Sequence, residues 1–307
     1  MTKGRVYKST GSWYSVKTDE GKILDCRLRG KIRLKGIKVT NPVAVGDMVI
    51  VEIENQKQGI ISEIEPRQNY LIRKSIKKSS EGHILAANID QAVLIATLTF
   101  PRTSLGFIDR FLVAAESFRI PQLLVFNKCD LHNDQMIEYI DELKNTYTNI
   151  GVDFLVVSAQ KGIDLDQLMG KLKGKTSLIA GHSGVGKSTL LNKIAPGKIL
   201  QEIGEVSTYA NKGIHTTTFA EMFEISRDTY VIDTPGIKEL GLIDLEEGEI
   251  SHFFPEMRAL FGECKFYNCT HLHEPGCAVL QAVEDGGIAQ SRYLSYLSIM
   301  EAEDTHH

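Results

Sequence analysis

Over Gly46–Asn55 the apolar side chains Val49, Val51 and Ile53 alternate with other residues, the two-residue period of a strand buried on one face. Comparable β-prone stretches occupy Gly4–Tyr7, Trp13–Thr18, Ile23–Leu28, Lys38–Val43 and Asp47–Glu54. Several short strands in so little chain predict a small closed barrel, with an OB fold as the first candidate and an SH3-like barrel as the alternative. Pro66–Gly82, which carries Arg67, Arg73, Lys74, Lys77 and Lys78, reads as a basic connector. Beyond it, the apolar runs Ala92–Ala96, Leu123–Phe126, Phe154–Val157, Leu178–Ala180 and Tyr230–Ile232 interleave with helix-like stretches at Ile108–Phe118, Met136–Lys144 and Leu165–Leu172. Buried strands alternating with amphipathic helices predict a mostly parallel sheet covered on both faces. Past Leu240 the chain turns acidic and helical apart from a Cys/His cluster. The predicted organisation is a β-barrel over residues 1–68, an α/β domain over 69–240 and a mainly α domain over 241–307.

Composition narrows the class. With 307 residues, 42% hydrophobic and 24% charged, the chain has an ordinary globular make-up. No apolar run approaches the roughly 18 residues of a membrane span. The first residues lack the apolar core of a secretory signal, and five cysteines are an odd number, so a reducing cytoplasm is expected and a disulfide scaffold is not. The net charge of −4 hides a split. Residues 1–80 hold 17 Lys and Arg against 8 Asp and Glu, whereas the remainder holds 18 against 31. That asymmetry points to a polyanionic partner at the N-terminal end; a solvated basic face is the plainer alternative.

The chemistry begins at Gly181-His182-Ser183-Gly184-Val185-Gly186-Lys187-Ser188-Thr189, which fits G-x-x-x-x-G-K-[ST] between an apolar strand and a helix start. Glycines let backbone N–H groups converge on phosphate oxygens at a helix N-terminus. Lys187 is placed to reach the terminal phosphates and the Ser188 hydroxyl to bind Mg²⁺. The base is chosen elsewhere. Asn127-Lys128-Cys129-Asp130 follows an apolar run; the Asp130 carboxylate suits the two N–H donors of guanine, the Lys128 stem would cover the base, and Asn127 would hold the loop. Ser158-Ala159-Gln160 resembles the companion segment whose N–H faces the guanine carbonyl. Asp233-Thr-Pro-Gly236 fits the metal-side segment, with Asp233 holding a Mg²⁺ water and the Gly236 N–H meeting the terminal phosphate. Four such motifs at strand ends point to a GTP/GDP site, because open parallel sheets bind ligands at the carboxyl ends of their strands.

The order is inverted: the guanine readers precede the phosphate loop, so the domain is circularly permuted, with a short link near Lys173–Lys175 joining the old ends. Through Asn-Lys-Cys-Asp, Gly-His-Ser-Gly-Val-Gly-Lys-Ser, Gly213-Ile-His-Thr-Thr-Thr218, Asp-Thr-Pro-Gly-Ile and the final Cys/His cluster, the chain resembles the circularly permuted, small-subunit-dependent GTPases of the RsgA (YjeQ) family over essentially its whole length. The resemblance implies an OB fold, a central GTPase, a C-terminal zinc domain and a role in late maturation of the small ribosomal subunit. The family motif usually carries Arg where this chain has Ile214, so no role is carried over to that side chain.

Within Gly213–Thr218, Thr217, with Thr216 next, is the expected Mg²⁺ ligand of the first switch. Ile237 stands where Ras-type enzymes place a water-orienting Gln, which leaves His215 as the candidate that orients or deprotonates water. Cys264, Cys269 and Cys277 lie within 14 residues together with His271 and His273; three thiolates and one imidazole make a closed structural zinc site. The resemblance implies His271 as the fourth ligand, with His273 as the alternative. Cys26 and Cys129 stand alone and are expected to be inert, and the terminal His306 and His307 carry no functional reading. Arg27, Arg29, Lys31, Arg33, Lys35 and Lys38 recur at nearly every second residue, a stripe suited to RNA phosphates, with Trp13 and Tyr14 as the sparse stacking partners. Recognition of folded-RNA shape is therefore expected more than reading of splayed bases.

The expected protein is a cytoplasmic, monomeric GTPase with Mg²⁺ and one Zn²⁺ per chain, acting on the small ribosomal subunit and its rRNA without a membrane. The alternatives are a large-subunit assembly GTPase and a non-catalytic GTP-binding RNA scaffold.

Overall fold

A computed structural model describes residues 1–30, 41–74, 82–196, 220–233 and 247–304. Strands β1 (Thr2–Ser9), β2 (Tyr14–Thr18), β3 (Ile23–Leu28), β4 (Met48–Ile53) and β5 (Gln58–Ile64) form the N-terminal barrel. β1 pairs with both β2 and β4, β2 with β3, and β3 runs parallel to β5, which returns antiparallel to β4 and closes the ring. Alternation does the sorting: in β3, Leu24 and Cys26 turn into the core while Ile23, Asp25 and Arg27 face out. Val6, Tyr14, Val16, Val49, Val51 and Ile61 complete that core.

Two expectations change here. The connector Pro66–Gly82 contains structure: β6 (Tyr70–Lys74) pairs with β7 (Gly82–Ala87) as a hairpin, because Tyr-Leu-Ile is β-prone whatever the charge beside it. Of the predicted strand Lys38–Val43, residues 38–40 lie outside the described residues and 41–43 are not strand.

The barrel is fastened to this hairpin at Gly46, where φ is +92° and an added Cβ would lie 2.1 Å from the Ala87 carbonyl oxygen. Beside it, Arg67 grips Asp47 with two bonds of 2.7 Å and donates to the Pro42 carbonyl at 2.6 Å. Asp47 is fully buried and also accepts from the Ala44 N–H at 2.8 Å.

The central sheet runs β10 (Asp153–Val156), β9 (Gln122–Phe126), β8 (Gln91–Ala96), β11 (Thr176–Ala180), β13 (Thr229–Asp233), β12 (Glu221–Ser226). The first five are parallel and β12 is antiparallel to β13. All residues of β8 and β11 are buried, as strands covered on both faces require. The covering helices are α1 (Leu105–Ser117), α2 (Asp134–Asn149), α3 (Leu165–Leu172) and α4 (Lys187–Ile194). Residues 173–175 join α3 to β11, where the permutation link was expected.

β1 of the barrel also touches β12, with Lys8 opposite Glu221, so the two sheets run on into one another. The Lys8 ammonium meets Glu221 at 2.9 Å, Lys17 pairs with Glu224, and the Arg5 guanidinium lies 4.8 Å over the Tyr230 ring. The C-terminal unit comprises a 3₁₀ stretch (Glu247–Phe253) and helices α5 (Pro255–Arg258), α6 (Ala278–Glu284) and α7 (Gln290–Asp304). Its core of Ile250, Phe254, Met257, Val279, Tyr296 and Ile299 closes over Val113 and Ala114 of α1. Among the described residues no helix is long and apolar enough to cross a membrane.

Removing one partner of a buried ion pair leaves a stranded charge, so Arg67→Met should destabilise the barrel by about 3–5 kcal/mol. The sole tryptophan, Trp13, lies in the barrel, so urea unfolding followed by its fluorescence measures the loss. An unchanged midpoint would show that Asp47 does not depend on Arg67.

Candidate functional site

Because β8, β9, β10, β11 and β13 are parallel, their carboxyl ends share one edge of the sheet; residues 127–130, 158–160 and 181–189 follow from that edge, and Asp233 ends β13 there. β11 sits between β8 and β13 and delivers the loop Gly181–Gly186 into α4. The loop lies very close to its neighbours. At Gly181 (φ +147°) an added Cβ would be 2.4 Å from the Ile95 carbonyl oxygen, and at Gly186 (φ +94°) 2.4 Å from Asn127 Nδ2. The glycines thus let the loop lie tight against neighbouring backbone and side chain, and within it the Val185 N–H donates to the His182 carbonyl at 3.4 Å.

Asn127 is buried and binds both sides: Nδ2 donates to the Val185 carbonyl at 2.9 Å, and Oδ1 accepts from the Ala159 N–H at 3.0 Å. One amide thus joins the base-reading loop, its companion segment and the phosphate loop. Lys128, in the left-handed region (φ +70°), spans the same gap and donates to the Phe100 carbonyl at 2.7 Å and the Gly184 carbonyl at 2.8 Å. Its ammonium is thus anchored on two backbone carbonyls, which fixes the course of the aliphatic stem. Ser158 is buried and its hydroxyl donates to the Asp130 carboxylate, while its oxygen accepts from the Lys161 N–H at 3.0 Å. Cys129 lies between these residues; burial, then Asp130 and Asp164, push its thiol up, so it stays a neutral thiol.

At the phosphate end the Lys187 ammonium donates to the Gly181 carbonyl at 2.5 Å and the His182 carbonyl at 3.1 Å. Burial lowers the Lys187 pKa while Asp233 opposes the fall; burial raises that of Asp233, with Lys187 opposing and Glu221 adding to the rise. Ser183, Ser188 and Thr189 are exposed at the loop. His215, Thr216, Thr217, Gly236 and Ile237 lie outside the described residues.

The reading of motifs missed the segment that braces this pocket. Pro101 packs on the crest at Gly184, and the Phe107 ring of α1 stacks on His182 with centroids 3.9 Å apart. The one local signal was Ser104, which caps α1 by accepting from the Phe107 N–H at 3.3 Å.

The second candidate site is the cysteine cluster. The ligand atoms of Cys264, Cys269, His271 and Cys277 all lie within 4.8 Å of one another. Cys264 Sγ is 4.0 Å from Cys277 Sγ and 3.7 Å from His271 Nδ1, which is 3.4 Å from Cys277 Sγ. Zinc–sulfur bonds of about 2.3 Å and zinc–nitrogen bonds of about 2.0–2.1 Å give tetrahedral edges of about 3.5–3.8 Å, which these separations fit. His273 is outside the cluster. Burial lowers the His271 pKa, favouring the neutral imidazole that ligates metal. Despite the penalty of burial, hydrogen bonds from the Thr270 hydroxyl, the Thr270 N–H and the His273 N–H hold the Glu274 carboxyl well below the usual range, and with the Leu272 N–H bond they shape the ligand loop.

On the barrel, the exposed Arg27 guanidinium lies 5.0 Å over Trp13 and 3.7 Å from Glu54, and Arg29 pairs with Glu52. Tyr14 is not a stacking partner for RNA, as had been expected. Strand alternation places it inside the barrel, where its hydroxyl donates to Asn41 at 2.7 Å. Lys31, Arg33, Lys35 and Lys38 lie outside the described residues.

A phosphate loop on the central strand, guanine readers that precede it in the chain, a barrel before and a Cys/His unit after define a circularly permuted GTPase with two appended domains. The comparisons agree. Residues 64–243 match the family described as RsgA GTPase and residues 3–61 match the RsgA N-terminal domain, and the chain belongs to the RsgA GTPase family. It is 53% identical over 302 residues to the small ribosomal subunit biogenesis GTPase RsgA 2 of Bacteroides thetaiotaomicron, covering 98% of this chain and 97% of that one. The small ribosomal subunit biogenesis GTPase RsgA of Cytophaga hutchinsonii is 51% identical over 306 residues, with 99% of each covered. Among solved structures, YjeQ from Thermotoga maritima superposes with a TM-score of 0.79 at 35% identity, covering 98% of each chain. YloQ, a circularly permuted GTPase, gives 0.75 at 32%, covering 100% of this chain and 96% of that one.

Asn127→Ala would leave the Ala159 N–H and Val185 carbonyl without their bonds, at about 1–3 kcal/mol each. GDP affinity should fall by about tenfold or more, since 1.4 kcal/mol is a factor of ten. Titration with fluorescent GDP checks this; an unchanged Kd would show that the two loops hold their places without the amide.

Proposed function

We propose that this chain hydrolyses GTP to GDP and phosphate while engaged on the small ribosomal subunit, in the late steps of that subunit's maturation. The observation that carries the GTPase part is Asn127, which draws the base-reading and phosphate loops together at one sheet edge. The ribosomal part is supported by the names of the full-length relatives and by the basic N-terminal end.

In this reading three working units act together: residues 1–68 bind rRNA, 69–240 bind and hydrolyse GTP, and 241–307 form the zinc domain. Asp130, oriented by Ser158, accepts the guanine N–H donors; Lys128 carries the base on its stem; Ser158 and Ala159 line the carbonyl side. The backbone N–H groups from Gly181 to Thr189 cradle the phosphates and Lys187 reaches the terminal one. Ser188 and Thr217 hold Mg²⁺, which when bound neutralises charge that develops on the phosphate oxygens. Asp233 takes a metal water, and the Gly236 N–H meets the terminal phosphate. His215 orients the attacking water in place of the glutamine that Ile237 displaces. Arg27 and Arg29, with Lys31, Arg33 and Lys35, contact the RNA backbone, exchanging acidic neighbours for phosphates. Cys264, Cys269, His271 and Cys277 hold one structural Zn²⁺. The protein works in the cytoplasm as a monomer, away from membranes.

Turnover by the protein alone, with isolated small subunits and with large subunits tests the proposal: small subunits should raise the rate and large subunits should not. Stimulation by large subunits instead, or by neither, overturns the ribosomal assignment. His215→Ala should bind GTP normally yet lose about 10²–10⁴-fold of the stimulated rate, the usual weight of a group that handles the proton. Full stimulated turnover would remove His215 from the mechanism.

The zinc reading has its own check. Cys277→Ala removes a ligand and the side chain that accepts from the Leu280 N–H at the start of α6. Metal analysis should fall from one zinc per chain to none, and the C-terminal unit should become protease-sensitive. Retention of a full equivalent of zinc would refute the ligand set.

A further inference from the structure

Helix α1 (Leu-Gly-Phe-Ile-Asp-Arg-Phe-Leu-Val-Ala-Ala-Glu-Ser) is apolar on more than one face and contributes to two cores. Ile108, Phe111, Leu112 and Ala115 enter the core beneath the sheet, whereas Val113 and Ala114 enter the C-terminal core. Amid these sits a carboxylate, Asp109, with no exposed surface. It accepts from Arg292 Nη1 at 2.8 Å and the Tyr147 hydroxyl at 2.9 Å. The other nitrogens of Arg292 reach Glu256, Nε at 2.7 Å and Nη2 at 3.2 Å. Arg292, itself 1% exposed, therefore joins a GTPase helix to α5 and α7 of the C-terminal unit. A guanidinium fork between two carboxylates permits one register of α7 on α1, where an apolar contact would tolerate slippage.

The other end of α1 meets the nucleotide loops. The segment before it is closed on itself by bonds from the Thr97 N–H to Thr103 Oγ1 at 3.1 Å and from the Thr103 N–H to the Thr97 carbonyl at 2.9 Å. This closed loop offers the Phe100 carbonyl to Lys128 and Pro101 to Gly184, and the first turn of α1 stacks Phe107 on His182. One rigid element thus touches the base floor, the phosphate loop and the zinc domain.

We propose that α1 couples the guanine-nucleotide pocket to the zinc domain, with Arg292 as the clamp. The inference rests on the GTPase reading and adds a route separate from the chain that leaves β13. Nucleotide that fixes Lys128 and the phosphate loop holds α1 seated, and the clamp passes that seating to α7. Coupling is reciprocal, so loosening the clamp weakens nucleotide binding by the factor that nucleotide loses over the domain.

The test uses the zinc-loaded full chain: amide hydrogen exchange of residues 290–301 with and without GDP, beside GDP affinity. In the unsubstituted protein GDP should slow exchange along α7 by about fivefold or more, the lower end of usual coupling factors. Glu256→Gln, which leaves the Asp109–Arg292 pair, should bring that ratio close to one and weaken GDP by the matching factor. A clamp that merely stabilised the domain would change exchange equally with and without GDP, and that result overturns the proposal. So does an unsubstituted protein that binds GDP with no response in α7. Failure to bind GDP at all would overturn the GTPase reading and this inference with it. Should Glu256→Gln lose its helical circular dichroism, Arg292→Lys, which keeps the charge and removes the fork, is held to the same two outcomes.

Discussion

Two contacts without a Cβ between them govern the nucleotide pocket. Gly181 lies against the Ile95 carbonyl of one neighbouring strand, and Gly186 lies against the Asn127 amide from the next. A methyl group at either place would push the phosphate loop outward. Asn127 could then no longer reach both the Val185 carbonyl and the Ala159 N–H, each about 3 Å away. Lys128 would lose the Gly184 carbonyl that fixes its far end. The Ser158 hydroxyl's bond to Asp130 lies on the segment that the Asn127 amide ties to the phosphate loop. The pocket is thus a consequence of how close two glycines allow β11's loop to come to β8 and to the loop after β9.

Much of this was legible before any coordinates, for a physical reason. A phosphate loop or a guanine reader is chemistry carried by residue identity, and a fully buried parallel strand is an apolar run that little else resembles. β3 and α3 fall on their predicted residues, and the permutation link occupies 173–175 as read. What stayed hidden depends on distant partners. β5 (Gln58–Ile64) is not among the predicted strands and is fixed by pairing in parallel with β3 and antiparallel with β4. Tyr14, expected beside Trp13 as a stacking partner, alternates inward with Val16 and Thr18, and only the barrel's closure shows which face of β2 is the inner one. Asp109 looks like the polar side of an amphipathic helix; its burial is decided by Arg292, 183 residues away.

Permutation explains where the flanking units can attach. Moving the chain ends to β8 and β13 leaves the barrel to enter from one end and the C-terminal unit to leave from the other. Neither merely trails from its connection. The barrel lays β1 along β12, and Lys8 and Lys17 meet Glu221 and Glu224 there. Exposed ion pairs of this kind are worth about 0–1 kcal/mol each, so they select an orientation more than they hold it. The Arg5–Tyr230 contact and strand pairing supply the rest of the attachment.

The two attachments differ in kind, and the difference bears on function. Glu221 stands opposite Lys8 in one ladder and opposite Asp233 in the next, so one side chain links the barrel's charge to the end of β13. This contact is partly exposed, so water and salt screen it. The C-terminal unit is instead locked by a buried guanidinium between two carboxylates, where a lost partner strands a charge in a low-dielectric interior. Burial penalises Arg292's charge, yet Asp109 and Glu256 outweigh that penalty and raise its pKa, so the clamp stays charged. The barrel is thus attached by a soft, partly exposed electrostatic contact, whereas the C-terminal unit is held by a stiff, buried one that fixes its register on α1.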